Sequence, residues 1–138
     1  FQLAGFYFII TKFEISAPLS KFKKGDIIVL SCEIVDKSLL ISLEGELDMH
    51  TAPPFKETID AELQKNPNLI NLVLIMSNVS FIDSSGLGAI LGRYRIIEER
   101  GGKLTIVAPT PHVMRVLKLS GMERIASFKN SAAEALQE

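Results

Sequence analysis

The fold is decided by the stretch Asn78-Val-Ser-Phe-Ile-Asp-Ser-Ser-Gly-Leu-Gly-Ala-Ile-Leu-Gly-Arg-Tyr-Arg95. Before it, Leu69-Ile-Asn-Leu-Val-Leu-Ile-Met76 is nearly all apolar, which is typical of a strand buried on both faces. Apolar residues then recur at three- and four-residue spacing, which predicts one face of a helix. These positions are Leu87, Ile90, Leu91, Tyr94 and Ile97. The sequence therefore predicts a buried strand, a short loop and a helix that begins near Asp83-Ser-Ser-Gly86.

Three interpretations of this turn compete. The simplest is an N-cap, because Asp and Ser are favoured capping residues. The second is a dinucleotide site, but Gly86-Leu-Gly-Ala-Ile-Leu-Gly92 is one residue too long for the fingerprint, and Leu104–Ala108 leads into Pro109 instead of an acidic residue. The third is a regulated serine, since the positive end of a helix tolerates a phosphate of about −1.5 to −2 charges. Local chemistry does not choose between the first and the third.

Two motifs carry a family resemblance that does choose. Phe81-Ile-Asp-Ser-Ser-Gly-Leu-Gly-Ala-Ile-Leu-Gly-Arg-Tyr94 resembles the signature of the anti-sigma factor antagonists, which are STAS domains. Gly45-Glu-Leu-Asp-Met-His-Thr51 resembles the second motif of the same family. The Leu-Gly-Arg-Tyr tail is most similar to the sporulation type that acts on sigma factor F. The resemblance covers residues 26–138 in the right order and spacing and implies a single STAS domain there.

The resemblance implies a binding switch. The unphosphorylated protein is expected to bind an anti-sigma factor that is itself a serine kinase, and so to free a sigma factor. Phosphorylation of Ser84 is expected to end this binding, and a metal-dependent serine phosphatase to reverse it. Ser85 is the expected helix cap. The implied partner-binding surface is formed by Asp48, His50, Asp83, Ser85, Gly86, Leu87 and Gly88.

No catalytic residues are predicted, so the chain is expected not to be an enzyme. The serines follow Asp83 without the preceding glycine of a hydrolase elbow. His50 and His112 lack a metal-ligand spacing, and no metal site is expected. Glu46 and Asp48 would point to opposite faces of an extended strand. No cofactor is expected either, because the sequence has no P-loop and the ATP belongs to the partner kinase.

Two alternatives from other classes stay open. One is a nucleotide-binding STAS module, in which the start of the helix holds the nucleotide. Such a module would bind a nucleotide unaided, which a kinase substrate would not. The other is a structural STAS domain of a larger assembly, which would tolerate Ser84→Ala and Ser84→Asp alike.

Composition limits the class of protein. The 138 residues predict one domain, and 47% hydrophobic with 22% charged residues is an ordinary globular composition. The net charge of −1 gives no basic surface for nucleic acid, and no membrane partner is expected. Cys32 is the single cysteine, which excludes an internal disulfide and a cysteine metal cluster. A lone thiol fits a cytoplasmic location.

Residues 1–25 are predicted to be an N-terminal extension outside the resemblance. Phe1-Gln-Leu-Ala-Gly-Phe-Tyr-Phe-Ile-Ile10 is very apolar but too short to span a bilayer, and it lacks the basic start of a signal peptide. The extension is either extraneous sequence or an added strand or hairpin that packs on the domain or on a second copy. A monomer is expected, with self-association through residues 1–25 as the alternative.

The remaining pattern predicts the α/β class, with helices packed on a small sheet. Asp26–Val35 and Lys37–Gly45 are predicted strands, and strands alternate with helices after residue 45. Thr51 and Thr110 are expected helix caps, and Ser131-Ala-Ala-Glu134 fits a capping box. The family resemblance implies that the sheet is mixed.

The two glycines in the body of the central helix have more than one explanation. Gly88 and Gly92 each cost about 1 kcal/mol relative to Ala in a helix. They indicate either close packing on the sheet or a smooth surface that another protein approaches. Glu98-Glu-Arg100 is expected to be a solvated helix end.

Overall fold

The computed structural model describes residues 7–11, as backbone, and residues 28–137. Within these residues, six strands form one sheet in chain order. They are β1 (Tyr7–Thr11), β2 (Val29–Val35), β3 (Ser38–Leu47), β4 (Asn71–Ile82), β5 (Leu104–Val107) and β6 (Ala126–Lys129). Strand β2 is antiparallel to both β1 and β3, and β3 to β6 run parallel. This arrangement confirms the α/β class and the mixed sheet.

Helices connect the parallel strands, as parallel pairing requires. The helices are α1 (Ala52–Lys65), α2 (Ser84–Glu99), α3 (Pro111–Leu119), α4 (Ala132–Leu136) and a 3₁₀ turn (Met122–Arg124). The main core joins one face of the sheet to α1, α2 and α3 through side chains such as Phe55, Ile90 and Val113. On the other face α4 covers a small cluster of Leu40, Val73 and Val107.

The strand predicted over residues 69–76 is β4, and the structure shows that it is longer. It continues to Ile82 and leads directly into Asp83, which precedes α2. The short loop predicted between strand and helix was therefore wrong. Strand β4 lies beside β3 along its whole length, and this pairing keeps its polar second half extended.

Two bulges near the end of β4 explain why its sequence does not alternate. The register with β3 shifts at residues 42–44 and again at residues 45–46 of β3, and each time β4 contains one extra residue. Each extra residue changes which face the following side chains occupy. As a result Val79 and Ile82 are buried three residues apart while the residues between them are exposed.

The other strand predictions agree with the structure except at their ends. Asp26 and Ile27 of the first predicted strand lie outside the described residues, and β2 begins at Val29. The two-residue turn at Asp36 and Lys37 joins β2 to β3, with a positive φ of 53° at Asp36. Such a turn matches the twist of a hairpin.

Most of the predicted extension lies outside the described residues. Its described part is the backbone of Tyr7–Thr11, which pairs with β2 from Tyr7 opposite Glu33 to Thr11 opposite Val29. The division into residues 1–25 and 26–138, and the origin of the extension, stay predictions. Among the helices of the described residues, none is long and apolar enough to cross a membrane.

The caps of the last two helices are partly as expected. Thr110 occupies the N-cap position of α3, but its hydroxyl donates to the carbonyl of Val79 at 3.1 Å instead of capping. Ser131 caps α4 by accepting from the N–H of Glu134 at 3.2 Å. The Glu134 carboxylate accepts from the N–H of Asn130 and not from that of Ser131, so the capping box is shifted by one residue.

Candidate functional site

Asp83 caps helix α2. Its backbone is extended, and its Oδ1 accepts a hydrogen bond from the N–H of Gly86 at 3.0 Å. The expectation that Ser85 is the cap was therefore wrong. Ser85 lies one residue inside the helix, while Asp83 occupies the preceding extended position from which a side chain reaches the first turn.

Ser84 is the first residue of α2, and its side chain is exposed. Ser85 beside it is also exposed. The first N–H groups of a helix have no intrahelical partner, and the helix dipole is positive at this end. The hydroxyl of Ser84 is thus accessible to another protein at a point that accommodates negative charge.

The loop between β3 and α1 is held by its own side chains. Asp48 Oδ1 accepts from the N–H groups of His50 at 2.9 Å and Thr51 at 3.1 Å. The Thr51 hydroxyl donates to the carbonyl of Glu46 at 2.6 Å and accepts from the N–H of Asp48 at 2.9 Å. Thr51 occupies the N-cap position of α1 but makes no capping bond, because its buried hydroxyl ties the loop to β3 instead.

This loop and the start of α2 meet at one backbone carbonyl. The N–H of Asp83 donates to the carbonyl oxygen of Leu47 at 3.2 Å. Gly86 is buried against the same oxygen, since a Cβ at Gly86 would lie 2.5 Å from it. The carboxyl ends of β3 and β4 therefore bring the Asp48–His50 loop beside Ser84, as expected of neighbouring parallel strands.

The predicted partner surface divides into packed and exposed residues. Gly86 is buried, Asp83 and Leu87 are half-buried, and His50 and Gly88 are exposed. The role of these residues in binding a partner stays a prediction. Gly86 has a clear structural role, because only a residue without a side chain fits against Leu47.

The structure excludes one of the two explanations of the helix glycines. A Cβ at Gly88 or Gly92 would have no other atom within 4 Å, apart from its own chain neighbours and helix backbone. Close packing on the sheet is therefore wrong for both. A smooth surface that another protein approaches stays a prediction.

Two features of this region were missed from the sequence. A groove of about 270 Å³ runs between α2 and the 3₁₀ turn, with Leu87 and Leu91 on one side and Met122 and Ile125 on the other. Met49, in the loop of Asp48, is 65% exposed. The sequence did contain a signal for this exposed residue, because Met49 is an apolar residue between two polar ones inside the Gly45–Thr51 motif.

In the described part of the chain, no three His, Cys, Asp or Glu side chains form a group that could hold a metal ion. The ring of His112 stacks on Phe81, with centroids 6.0 Å apart. Burial raises the pKa of the Cys32 thiol to about 12.

Comparison with known proteins agrees with the fold. The family model for the STAS domain matches residues 30–135. The anti-sigma F factor antagonist of Paenibacillus polymyxa is 38% identical over 100 residues, which cover 72% of this chain and 85% of that protein. The unphosphorylated form of the anti-sigma factor antagonist SpoIIAA is a similar structure, with a TM-score of 0.69, 28% identity, and coverage of 78% of this chain and 92% of that chain.

The phosphorylated form of SpoIIAA, from Bacillus, matches as well. Its TM-score is 0.64 at 27% identity, and the match covers 78% of this chain and 96% of that chain. Thus one related fold is known with and without the phosphate. The chain described here belongs to the STAS domain family, among the anti-sigma factor antagonists.

Proposed function

We propose that the unphosphorylated protein binds an anti-sigma factor that is a serine kinase, and that phosphate on Ser84 ends this binding. The observation that carries the proposal is the position of Ser84. Its exposed hydroxyl directly follows the capping Asp83, at the meeting point of the two motifs. The sigma F assignment follows the name of the Paenibacillus polymyxa relative.

Charge provides the switch. A phosphate adds about −1.5 to −2 charges beside Asp83, and a partner that covers Ser84 must desolvate them. This costs several kcal/mol, and each 1.4 kcal/mol is about tenfold in affinity. Unfolding is not required, because Asp83 and Gly86 hold the start of α2 on the backbone of β3.

The rest of the cycle belongs to other proteins. The partner kinase supplies the ATP, and this chain uses no cofactor of its own. A metal-dependent serine phosphatase removes the phosphate and restores binding. The cycle operates in the cytoplasm without nucleic acid or membrane as a direct partner of this chain.

The test is phosphorylation by a defined kinase. The purified protein is incubated with ATP and the anti-sigma F factor of Paenibacillus polymyxa, then examined by intact mass and peptide mapping. We expect one phosphate, on Ser84, in the wild type and in Ser85→Ala, and none in Ser84→Ala. The kinase must be shown active on the antagonist of its own organism.

Two results would contradict the proposal. Phosphate on Ser85 would move the switch to that residue. No phosphate at all, with an active kinase, would contradict the assignment to this kinase class. Calorimetric titration with ATP and GTP in the absence of kinase would then test the nucleotide-binding alternative directly.

A further inference from the structure

Three of the exposed large apolar side chains lie on the segments that meet at Ser84. In the described residues the exposed large apolar side chains are Met49 (65% exposed), Phe81 (39%), Leu91 (38%) and Leu119 (82%). Phe81 precedes Ser84 by three residues at the end of β4. Leu91 lies two turns along α2 on the same face as Ser84. The fourth, Leu119, lies at the end of α3, and the first turn of α3 meets β4 where the ring of His112 stacks on Phe81.

The position of Met49 near Ser84 follows from backbone contacts. Met49 comes two residues after Leu47, and the carbonyl of Leu47 accepts from the N–H of Asp83 next to Ser84. The loop that carries Met49 therefore has a fixed place beside the serine. Single exposed apolar residues are common on protein surfaces, but three of them around one candidate modification site indicate an interface.

The loop is held by its own hydrogen bonds, and the carboxylate of Asp48 is used in them. Asp48 Oδ1 accepts two backbone N–H groups, and the buried Thr51 hydroxyl fastens the loop to the carbonyl of Glu46. A loop that is already ordered loses little conformational entropy when a partner binds. Asp48 shapes the loop, while Met49 and His50 are its exposed side chains, and Met49 is the apolar one.

We propose that Met49 is an anchor residue that inserts into an apolar pocket of the anti-sigma factor, and that Asp48 is a positioning residue for it. The inference rests on the proposed function and assigns the contact within that interface. An unbranched, polarisable side chain fits irregular apolar pockets, and few such anchors carry most of a binding energy. Together with Phe81 and Leu91, Met49 forms an apolar surface around Ser84, and this surface excludes water when the partner covers it.

The test compares two exposed apolar residues. Affinity for the Paenibacillus polymyxa anti-sigma F factor is measured by calorimetry, with ADP present, for wild type, Met49→Ser and Leu119→Ser. Leu119 is the control, because it is also strongly exposed, belongs to neither motif, and lies at the far end of a nine-residue helix, about 13 Å long, whose first turn meets β4 at Thr110. We expect Met49→Ser to weaken binding at least about tenfold and Leu119→Ser to change it less than about twofold.

Conservative variants separate contact from positioning. Met49→Leu should recover most of the affinity, because it restores apolar volume. Asp48→Asn keeps an oxygen that accepts the same two N–H groups and should bind far better than Asp48→Ala. Equal loss in both Asp48 variants would mean that its charge contacts the partner directly.

The two proposals fail in different ways. If wild type binds and Met49→Ser binds equally well, the anchor assignment is wrong and the proposed function stands. If wild type does not bind the anti-sigma factor, the proposed function fails and the anchor assignment fails with it. Circular dichroism of each variant verifies that the fold is retained.

Discussion

Gly86 packs directly on the backbone of Leu47, so closely that a Cβ at Gly86 would lie 2.5 Å from the Leu47 carbonyl oxygen. The same oxygen accepts from the N–H of Asp83. The start of α2 is thereby seated on the end of β3. The exposed Ser84 lies between two residues that are fixed to this strand.

Substituting Gly86 and Gly88 should have opposite effects on stability. Gly86→Ala forces a methyl group against a backbone oxygen that cannot move aside, and should lower the free energy of unfolding by about 1–3 kcal/mol. Gly88→Ala meets open space and should raise it by about 0.5–1 kcal/mol through helix propensity. Urea unfolding of both variants measures this. Equal effects would show that α2 is not seated as described.

The contrast between these glycines shows what the sequence could predict. The Asp83-Ser-Ser-Gly86 motif and the apolar periodicity placed a helix start correctly, because both signals are local. Which glycine packs and which is open depends on Leu47, nearly forty residues earlier. Such a contact follows from the parallel pairing of β3 and β4, and sequence patterns do not contain it.

The same reason explains the other differences. The sequence predicted too early an end for β4, because the bulges remove the alternation of buried and exposed residues by which strands are identified. The loop of Asp48 was predicted to adjoin Ser84 from the resemblance, but the internal use of its carboxylate required coordinates. Arg100 was expected to be solvated, whereas it is half-buried and bonded to three carbonyls of another segment.

Asp83 should prove to be the helix cap. Asp83→Ala removes the acceptor for the Gly86 N–H and should lower the free energy of unfolding by about 0.5–2 kcal/mol. Asp83→Ser keeps an acceptor oxygen and should lose much less. Ser85→Ala is the control and should change stability by under about 0.5 kcal/mol. A larger loss for Ser85→Ala than for Asp83→Ala would restore Ser85 as the cap.

Arg100 should be important for joining α1 to α2. Its guanidinium donates to the carbonyls of Leu69 at 2.7 Å, Leu63 at 2.9 Å and Asn66 at 3.3 Å, near the end of α1. Arg100→Ala leaves these oxygens without their charged donor and should cost about 2–4 kcal/mol in denaturant unfolding. Arg95→Ala, at an exposed position of the same helix, should cost under about 0.5 kcal/mol.

Lysine provides a second control at Arg100. Arg100→Lys keeps the charge but cannot reach several carbonyls with a planar fork, so it should recover less than half of the loss. Full recovery by lysine would show that charge near the end of α1 matters and that the fork geometry does not.

Cys32 should be protected in the folded protein. Burial raises the pKa of its thiol from 9.0 to about 12, so the reactive thiolate is absent near neutral pH. A chromogenic disulfide reagent at pH 8 should react slowly with native protein and rapidly in guanidinium chloride. Fast reaction of the native protein would contradict the burial of Cys32.

The raised pKa of Cys32 also makes the stability of the protein depend on pH in the alkaline range. Between pH 9 and pH 12 the thiol ionises in the unfolded chain but not in the folded one, so ionisation favours unfolding. The free energy of unfolding should therefore fall across this range, and fall less in Cys32→Ala. The difference between the two proteins removes the contribution of other groups. Parallel curves for both proteins would contradict the raised pKa.

Ser84→Asp should mimic the phosphorylated state in part. It places a negative charge next to Asp83 at an exposed position, so folding should be unaffected while binding to the anti-sigma factor weakens. We expect the affinity to fall about tenfold or more, but less than with a phosphate, since a carboxylate carries less charge. Ser84→Ala should bind like wild type.

The comparison of Ser84→Asp with Ser84→Asn isolates charge from size, because the two side chains have nearly the same shape. If both weaken binding equally, the surface around Ser84 excludes volume and charge is not the switch. If neither weakens it, Ser84 lies outside the interface, and the protein is better explained as a structural STAS domain. Loss with Asp alone, increasing at low salt, is the result that a charge-controlled switch requires.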